Sequence, residues 1–323
     1  MVRKTIVVGN GLGMALDPVA FSLSTAMEEV WSSDVTLTDE QKNLIGLCLP
    51  ASNTTGQPTN EDDLDTLQRV LAACDFLSEF DDASGVHWLS PQGQSFPTAI
   101  RRFIHQVACQ FHMTGRSLPP EFAIPLCHFV RTTKSHVATL NYDPLLYDCF
   151  LTERILTGYS GDLVDGLTNS GYRTQNMYRR DANRLGWYLH LHGSPLFYDG
   201  ANGQVRKLRR PQLAGEVIDT THLVLTHVRH KMPIIGASSI LSDYWRFFGR
   251  ALQESEEIVL LGYSGFDAHL NLAIARHSPE LDIKVVEWVG SQPGGDRGDY
   301  WRDKFKKDVE LVGLDNILDF TDW

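Results

Sequence analysis

Short apolar runs that end in polar or glycine-bearing turns recur along the chain and alternate with helical patterns. Runs rich in β-branched and apolar residues predict buried strands at 4–8, 136–140, 187–192, 257–261 and 283–288, the last of these being the final strand. Apolar residues at helical spacing predict helices at 18–31, 61–80, 97–113, 120–131, 238–253 and 267–276. This alternation is typical of an α/β protein with a doubly wound, Rossmann-like parallel sheet.

The chain shows no internal repeat, so the pattern predicts one domain over residues 1–323. The first helix is expected to start at Asp17-Pro18, because Asp is a good helix cap and Pro fits the first helical position. A helical insertion is expected at about 20–131, and a small irregular, basic subdomain at about 156–235.

The charge of the chain limits the kinds of partner that the protein is expected to bind. Lys and Arg number 29 against 40 Asp and Glu, a net charge of −11 that disfavours direct binding to nucleic acid. The acidic outer face of the 61–80 helix is typical of a solvated surface. The later half contains a basic cluster, which comprises Arg206, Lys207, Arg209, Arg210, Arg229 and Lys231. This cluster either contacts phosphates or a partner, or it forms a solvated loop.

The lengths of the apolar runs and the number and spacing of the cysteines indicate the cellular compartment of the protein. No run is long enough to cross a bilayer, and the first one ends at Gly9 after too few residues for a signal peptide, so we expect a cytoplasmic protein without a membrane partner. The five cysteines are odd in number and form no Cys-x-x-Cys pair. This predicts neither a disulfide framework nor a four-cysteine zinc site.

The first strand runs into Gly9-Asn10-Gly11-Leu12-Gly13. Glycines in a turn between strand and helix let a backbone approach a pyrophosphate, and the helix N-terminus supplies amide donors. We therefore interpret Gly9, Asn10, Gly11 and Gly13 as candidate nucleotide-binding residues. A tight turn without a ligand explains the spacing equally well, because the full Gly-x-Gly-x-x-Gly motif is absent.

Two further strands end in polar groups suited to chemistry. The side-chain amide of Asn141 can position a ribose hydroxyl or a water, whereas Asp143 is interpreted mainly as a helix cap. His190 and His192 alternate with Leu191, and His192 lies nearer the ligand-binding end of its strand. No acidic or cysteine residue stands at a convincing spacing from them, so we expect His192 to act in acid–base catalysis and no metal to bind.

The turn Gly262-Tyr263-Ser264-Gly265-Phe266 resembles a nucleophile elbow but lacks its final glycine. Ser264 is better interpreted as a hydroxyl that contacts a nucleotide or as a helix cap. The residues that follow either belong to the site or form a capped surface helix, and they are Asp267, His269 and Asn271.

These turns carry a resemblance to a known family. The segments VVGNGLG, TLNYDPLLYD, LHLHGS and IVLLGYSGFDAHLN, in this order, resemble the sirtuin-like (silent information regulator) superfamily, over residues 5–272. Within this superfamily the resemblance is to bacterial NAD hydrolase domains of anti-phage defence systems. It lacks the zinc-binding cysteine pairs of the protein-deacylating sirtuins, which argues against deacylation of peptides.

The resemblance implies roles for individual residues. Asn141 and His192 match the catalytic residues of the family, Gly9, Gly11 and Gly13 match its nucleotide loop, and Gly262 and Ser264 match its late nucleotide-contacting turn. The family often has Ser in place of Gly13 and Ala in place of Asn10.

The implied activity is hydrolysis of the nicotinamide–ribose bond, with NAD as substrate and no metal. We also expect a homo-oligomer that acts in defence under the control of a trigger or of a separate partner such as a HerA-like ATPase. Two other classes stay open from the sequence: a non-catalytic sensor of NAD or ADP-ribose that gates a partner protein, and an assembly protein that binds no nucleotide.

Overall fold

A computed structural model describes residues 2–84, 88–157, 161–178, 185–213, 220–225, 228–277, 280–291 and 296–323, without the side chains of 81–84 and 228–230. The strands are β1 (Lys4–Val8), β2 (His136–Thr139), β3 (Leu163–Val164), β4 (Leu167–Thr168), β5 (Gly171–Tyr172), β6 (Gly186–His190), β7 (Phe197–Asp199), β8 (Val205–Lys207), β9 (Glu257–Leu261), β10 (Asp282–Trp288) and β11 (Glu310–Leu314). The helices are α1 (Gly11–Leu16), α2 (Leu23–Ser32), α3 (Asp39–Cys48), α4 (Glu61–Ser84), α5 (Pro91–Gln110), α6 (Pro120–Thr133), α7 (Leu145–Thr152), α8 (Thr174–Met177), α9 (Val228–Ala237), α10 (Ser239–Glu254), α11 (Ala268–His277) and α12 (Arg297–Phe305).

A seven-stranded sheet, parallel throughout, forms the centre of the molecule in the order β11-β10-β9-β1-β2-β6-β3. From β1 the chain forms β2, then β3 at the edge of the sheet, and then β6 between β2 and β3. It later returns to the other side of β1 to form β9, β10 and β11. The strand order therefore reverses between β1 and β9, which makes a crevice at their carboxyl ends. The predicted doubly wound, Rossmann-like fold is confirmed.

Side chains of β1 alternate between two hydrophobic cores, one on each face of the sheet. Ile6 and Val8 pack with the helices that lie between β1 and β2, whereas Val7 packs with α10 on the opposite face. All three are fully buried, because helices cover both faces of a parallel sheet.

The helical insertion consists of α2 to α6, in which α5 packs against α2, α3 and α4. The apolar stripe predicted on the 61–80 helix is buried, and it comprises Leu64, Leu67, Leu71 and Cys74. The irregular segment after α7 contains the two-stranded antiparallel sheets β4–β5 and β7–β8. Within the described parts of the chain, no helix combines the length and the apolar character that a membrane crossing requires.

The start of the first helix was predicted at the wrong residue. Helix α1 begins at Gly11, and Asp17 lies at its carboxyl end, where its backbone N–H donates to the Gly13 carbonyl. The carboxylate of Asp17 accepts hydrogen bonds from the backbone N–H groups of Val19 and Ala20, so it caps a turn. Such a turn and a helix start share the same capping chemistry, which is why the sequence pattern did not separate them.

The prediction that 283–288 is the last strand was also wrong, because β11 follows and pairs in parallel with β10. β11 lies at the edge of the sheet, and most of its residues are exposed or half-buried. An edge strand of this kind lacks the continuous apolar run by which the buried strands were predicted.

Candidate functional site

A cavity of about 1170 Å³ opens at the carboxyl edge of the sheet, over the crevice between β1 and β9. The cavity receives residues from the turns after β1, β2, β6 and β9, as the sequence predicted for ligand-binding turns. Most of the predicted site residues line it, namely Gly9, Asn10, Gly11, Asn141, Asp143, His192, Gly262 and Ser264.

Gly13 does not line this cavity. A Cβ atom at Gly13 would lie 2.7 Å from the Cγ atom of Phe21, so this glycine is required for packing beneath the turn. Asn10 does line the cavity, and its side-chain amide donates a long hydrogen bond of 3.4 Å to the carbonyl of Phe21.

The turns after β1 and β9 touch backbone to backbone. The N–H of Gly9 donates to the Leu261 carbonyl and the N–H of Gly11 donates to the Gly262 carbonyl, each at 2.9 Å. These two amides therefore already have backbone partners, and nucleotide binding by the glycine turn stays a prediction. The glycines are required by the close approach itself, since a Cβ atom at Gly11 would lie 2.6 Å from the Cα atom of Gly262.

Asn141 connects the turn after β2 to the turn after β1. Its side-chain amide donates to the Gly9 carbonyl at 3.0 Å, and its own N–H donates to the Thr139 hydroxyl at the same distance. The side chain is 6% exposed, and its Oδ1 atom has no hydrogen-bond partner in the structure. Asn141 lines the cavity as a residue, but Oδ1 itself is covered by surrounding protein atoms.

Asp143 caps α7, as expected, by accepting a hydrogen bond of 2.9 Å from the N–H of Leu145. Its other carboxylate oxygen, Oδ2, is buried without a hydrogen-bond partner. Burial raises the pKa of Asp143 to about 6. The residue therefore combines a structural role with a titratable group at the wall of the cavity.

His192 forms the polar centre of the cavity together with two residues from distant segments. Asp267 Oδ2 lies 2.9 Å from His192 Nε2 and 2.9 Å from Lys231 Nζ, and all three side chains are buried. Burial and the charge of Lys231 lower the pKa of His192, while Asp267 opposes them. Burial opposes ionisation of Asp267, but its contacts with His192 and Lys231 hold its pKa well below the usual range. The arrangement provides a neutral imidazole held by a carboxylate.

His190 lies outside this cavity, because β6 ends at His190 and the chain turns before His192. Its ring is surrounded by the rings of Tyr147, Tyr188 and Phe197, with centroid distances of 5.7, 5.0 and 5.4 Å. Burial holds the pKa of His190 well below its ordinary value. In the part of the chain that the structure describes, no group of three or more His, Cys, Asp or Glu residues could hold a metal ion.

The alternatives left open after β9 are now resolved. Asp267 both caps α11, accepting from the N–H groups of His269 and Leu270, and holds His192. Asn271 is structural, since its side chain bonds to Tyr263 and to the Gly265 carbonyl. Ser264 is exposed and lines the cavity rather than capping the helix.

The basic cluster does not form one surface. Lys231 is in the site, Arg210 pairs with Asp148, and Lys207 lies 3.1 Å above the ring of Tyr147. The side chain of Arg229 lies outside the described residues. Lys231 was predicted only as a member of this cluster, and its isolated position gave no signal that it would reach Asp267.

Much of the rest of the cavity wall consists of residues that the sequence did not predict to be in the site. Glu61 and Phe111 come from the helical insertion, Trp288 is the last residue of β10, and Arg297 is the first residue of α12. Arg297 forms two hydrogen bonds with Glu287, of 2.8 and 2.5 Å. Only tertiary packing brings these residues beside the switch point, so no local motif identifies them.

Comparison of the chain with protein-family models gives no match, and comparison with curated proteins gives none. The class of protein is therefore assigned from the sheet topology and the cavity. They define an α/β protein of the doubly wound, Rossmann-like class with a ligand-sized cavity at its topological switch point.

Proposed function

We propose that this protein hydrolyses the nicotinamide–ribose bond of NAD. One NAD and one water give nicotinamide, ADP-ribose and a proton. The observation that carries the proposal is the contact of His192 with Asp267 in the cavity that Asn141 also lines. A base held by a carboxylate, near a polar side chain that orients a hydroxyl or a water, suits hydrolysis of a glycosidic bond.

His192 acts as the base in this proposal. It accepts a proton from the attacking water or from a ribose hydroxyl as positive charge develops on the ribose. Asp267 orients the imidazole and stabilises its protonated form, and the side chain of Asn141 orients the ribose or the water. Proton transfer of this kind typically contributes about 10²–10⁴-fold to the rate.

The size and the position of the cavity support a dinucleotide as the ligand. Pockets for drug-sized ligands span roughly 300–1,000 Å³. The present cavity, at about 1170 Å³, is larger and lies along the switch point where doubly wound sheets bind nucleotides. Its exposed wall at Ser264 and Trp288 would take the adenosine half, away from His192.

The resemblance to bacterial anti-phage NAD hydrolases supports a role as a defence effector. An NAD hydrolase that is always active would deplete NAD in its own cell. We therefore include in the proposal a cytoplasmic location, a homo-oligomeric state, low basal activity and control by a trigger or by a separate partner such as a HerA-like ATPase.

The direct test is nicotinamide release from NAD by the purified chain. We expect release by the wild type and no measurable release by His192→Ala or Asn141→Ala, with NAD binding largely retained in His192→Ala. His128→Ala is the matched control, because His128 is exposed on α6 and outside the cavity. Full activity in His192→Ala would contradict the assignment of the base.

Calorimetric titration with NAD and ADP-ribose separates the remaining classes of protein. Binding of NAD without nicotinamide release under any condition would indicate a sensor that gates a partner. Absence of binding by both ligands would exclude a nucleotide site and favour an assembly protein.

A further inference from the structure

Two cysteine thiols meet between the last helix of the insertion and the helix that follows the turn after β2. Cys127 lies on α6 and Cys149 lies on α7, and their Sγ atoms are 3.4 Å apart. The two residues are 22 positions apart in the chain, so no short cysteine motif marks them. Both thiols are free, and a disulfide bond of about 2.05 Å requires only a small approach of the two sulfur atoms.

Two kinds of contact hold α6 and α7 in this relative position. Four residues after each cysteine, Arg131 on α6 donates a hydrogen bond of 2.5 Å to the carbonyl of Glu153 at the carboxyl end of α7. Leu126 and Phe150, which are sequence neighbours of the two cysteines, are buried in the same hydrophobic core. The contact between the thiols is therefore part of a packed interface between two helices.

The two thiols differ in burial and in acidity. Cys127 is 1% exposed, whereas Cys149 is only half-buried. The hydrogen bond from the Cys127 thiol lowers the pKa of Cys149, while burial and the carboxylates of Asp148 and Glu153 oppose this effect. The same hydrogen bond and burial raise the pKa of Cys127. Cys149 is therefore the thiol that ionises first, and Cys127 is the thiol that donates to it.

The other three cysteines differ from Cys149 in acidity. Burial raises the pKa of Cys48, Cys74 and Cys109, so their thiols stay protonated at neutral pH. Cys48 is half-buried like Cys149, so exposure alone does not distinguish Cys149. The feature that distinguishes it is the hydrogen bond from a second thiol.

We propose that Cys127 and Cys149 form a peroxide-reactive dithiol site, which hydrogen peroxide oxidises to a disulfide within one chain. Reactive cysteines of this kind combine an acidic thiol with a second, resolving cysteine beside it. Cys149 is the attacking residue and Cys127 is the resolving one. The site is distinct from the cavity and does not depend on the proposed hydrolysis of NAD.

The reaction has two steps. The Cys149 thiolate attacks one oxygen of hydrogen peroxide and the O–O bond breaks, which gives a sulfenic acid and a hydroxide that takes up the proton lost by Cys149. The Cys127 sulfur then attacks the sulfenic sulfur, the S–O bond breaks, and the hydroxyl group leaves as water with the Cys127 proton. Two thiols lose two electrons in total, and one peroxide is reduced to two waters.

The disulfide closes a loop that contains β2 and two of the predicted site residues, Asn141 and Asp143. It joins the helical insertion to α7, the helix that Asp143 caps. Oxidation should therefore constrain the segment that carries these site residues. It should also raise the thermal unfolding midpoint, because a cross-link restricts the unfolded chain.

The test is oxidation of the purified full chain by hydrogen peroxide, followed by unfolding, alkylation of the remaining thiols and peptide mapping by mass spectrometry. We expect the wild type to lose two of its five thiols and to yield one linked peptide pair, which joins Cys127 to Cys149. The oxidised protein should stay monomeric in a non-reducing gel, and dithiothreitol should restore all five thiols. Cys149 should react roughly tenfold faster than Cys48, as expected for a pKa about one unit lower.

Three variants assign the two roles. Cys149→Ser should form no disulfide, because Cys127 is buried and keeps its proton. Cys127→Ala should stop at the sulfenic acid of Cys149, which dimedone traps. Cys48→Ser is the matched control, since it removes the other half-buried thiol and should form the disulfide at the rate of the wild type.

The mapping of the wild type needs no variant, so poor folding of Cys127→Ala leaves the test decisive. A wild type that keeps all five thiols in peroxide overturns the inference. A disulfide between another pair of cysteines or between two chains, or equal rates for Cys149 and Cys48, overturns it as well.

Discussion

Two buried oxygen atoms without hydrogen-bond partners mark the site at the scale of single residues. They are Asn141 Oδ1 and Asp143 Oδ2, which belong to the same turn after β2, and both residues line the cavity. An unsatisfied buried acceptor typically costs about 1–3 kcal/mol of folding free energy. This cost falls on the turn that carries two of the predicted site residues.

Asp143→Asn should stabilise the ligand-free protein in a pH-dependent way. Burial raises the pKa of Asp143 from its ordinary value to about 6, so the folded state holds this proton more tightly than the unfolded chain does. The wild type therefore loses stability as the pH rises through the interval between the unfolded and folded pKa values. The advantage of the variant should grow from about pH 4, level off above about pH 6, and reach on the order of 2 kcal/mol.

Urea unfolding at a series of pH values measures this difference. Asp303→Asn serves as the control because Asp303 is exposed on α12. A constant difference between Asp143→Asn and the wild type from pH 4 to pH 7 would contradict the raised pKa.

Asp267→Asn should lower nicotinamide release about 10²-fold or more, because the amide no longer stabilises protonated His192. It should also shift the pH profile. The hydrogen bond and the charge of Asp267 both raise the pKa of His192, so their removal lowers it. The base must be neutral, and the acidic limb of kcat/KM should therefore move to lower pH. An unshifted limb with reduced activity would indicate a purely structural role for Asp267.

At the scale of secondary structure, the contact between two turns explains why glycines follow β1 and β9. The two turns exchange backbone contacts, and Gly262 has a positive φ of 59°. β1 pairs in register with β9 up to Val8 opposite Leu261, so the turns leave the sheet at the same level. The glycines allow the two turns to meet and thereby form the floor of the cavity.

Gly11→Ala should destabilise the protein by about 1–3 kcal/mol, because its Cβ atom would lie 2.6 Å from the Gly262 Cα atom and the backbone has to move. Gly249→Ala, inside α10, should instead stabilise by up to about 1 kcal/mol, since no atom lies within 4 Å of the added Cβ atom. Denaturant unfolding of the two variants checks the opposite signs. A Gly11→Ala protein as stable as the wild type would contradict the close packing of the turns.

At the scale of the whole molecule, the cavity depends on segments that are far apart in sequence. The turns at the end of the sheet provide the floor and the base, the insertion provides Glu61 and Phe111, and the end of β10 provides Trp288. The insertion therefore contributes directly to the proposed site. This dependence predicts that ligand binding stabilises the whole folded domain.

ADP-ribose at 100 times its dissociation constant should stabilise the wild type by about 2.7 kcal/mol, because it binds the folded chain only. The thermal unfolding midpoint should rise accordingly in a single cooperative transition. Asn141→Ala should show a smaller rise, since it lacks the polar side chain at the cavity. An unchanged midpoint in saturating ADP-ribose would argue against the proposed site.

The sequence by itself determined the inner strands of the sheet but not its edge strands β3 and β11. The strands at 4–8 and 257–261 were predicted with the bounds that the structure shows, because buried parallel strands read as continuous apolar runs. Polar residues at the ends of the runs 136–140 and 187–192 then placed Asn141 and His192 at one edge, since strand ends in such sheets meet there. These features are local, and a local pattern is sufficient to predict them.

Only the tertiary structure decided how that edge becomes a site. It pairs His192 with Asp267 and Lys231, engages the amides of Gly9 and Gly11 in packing, and places Glu61 at the cavity wall. It also separates His190 from His192, although the two are neighbours in sequence. Such contacts join residues far apart along the chain, and their identity depends on how helices pack on the sheet, which no short segment of sequence encodes.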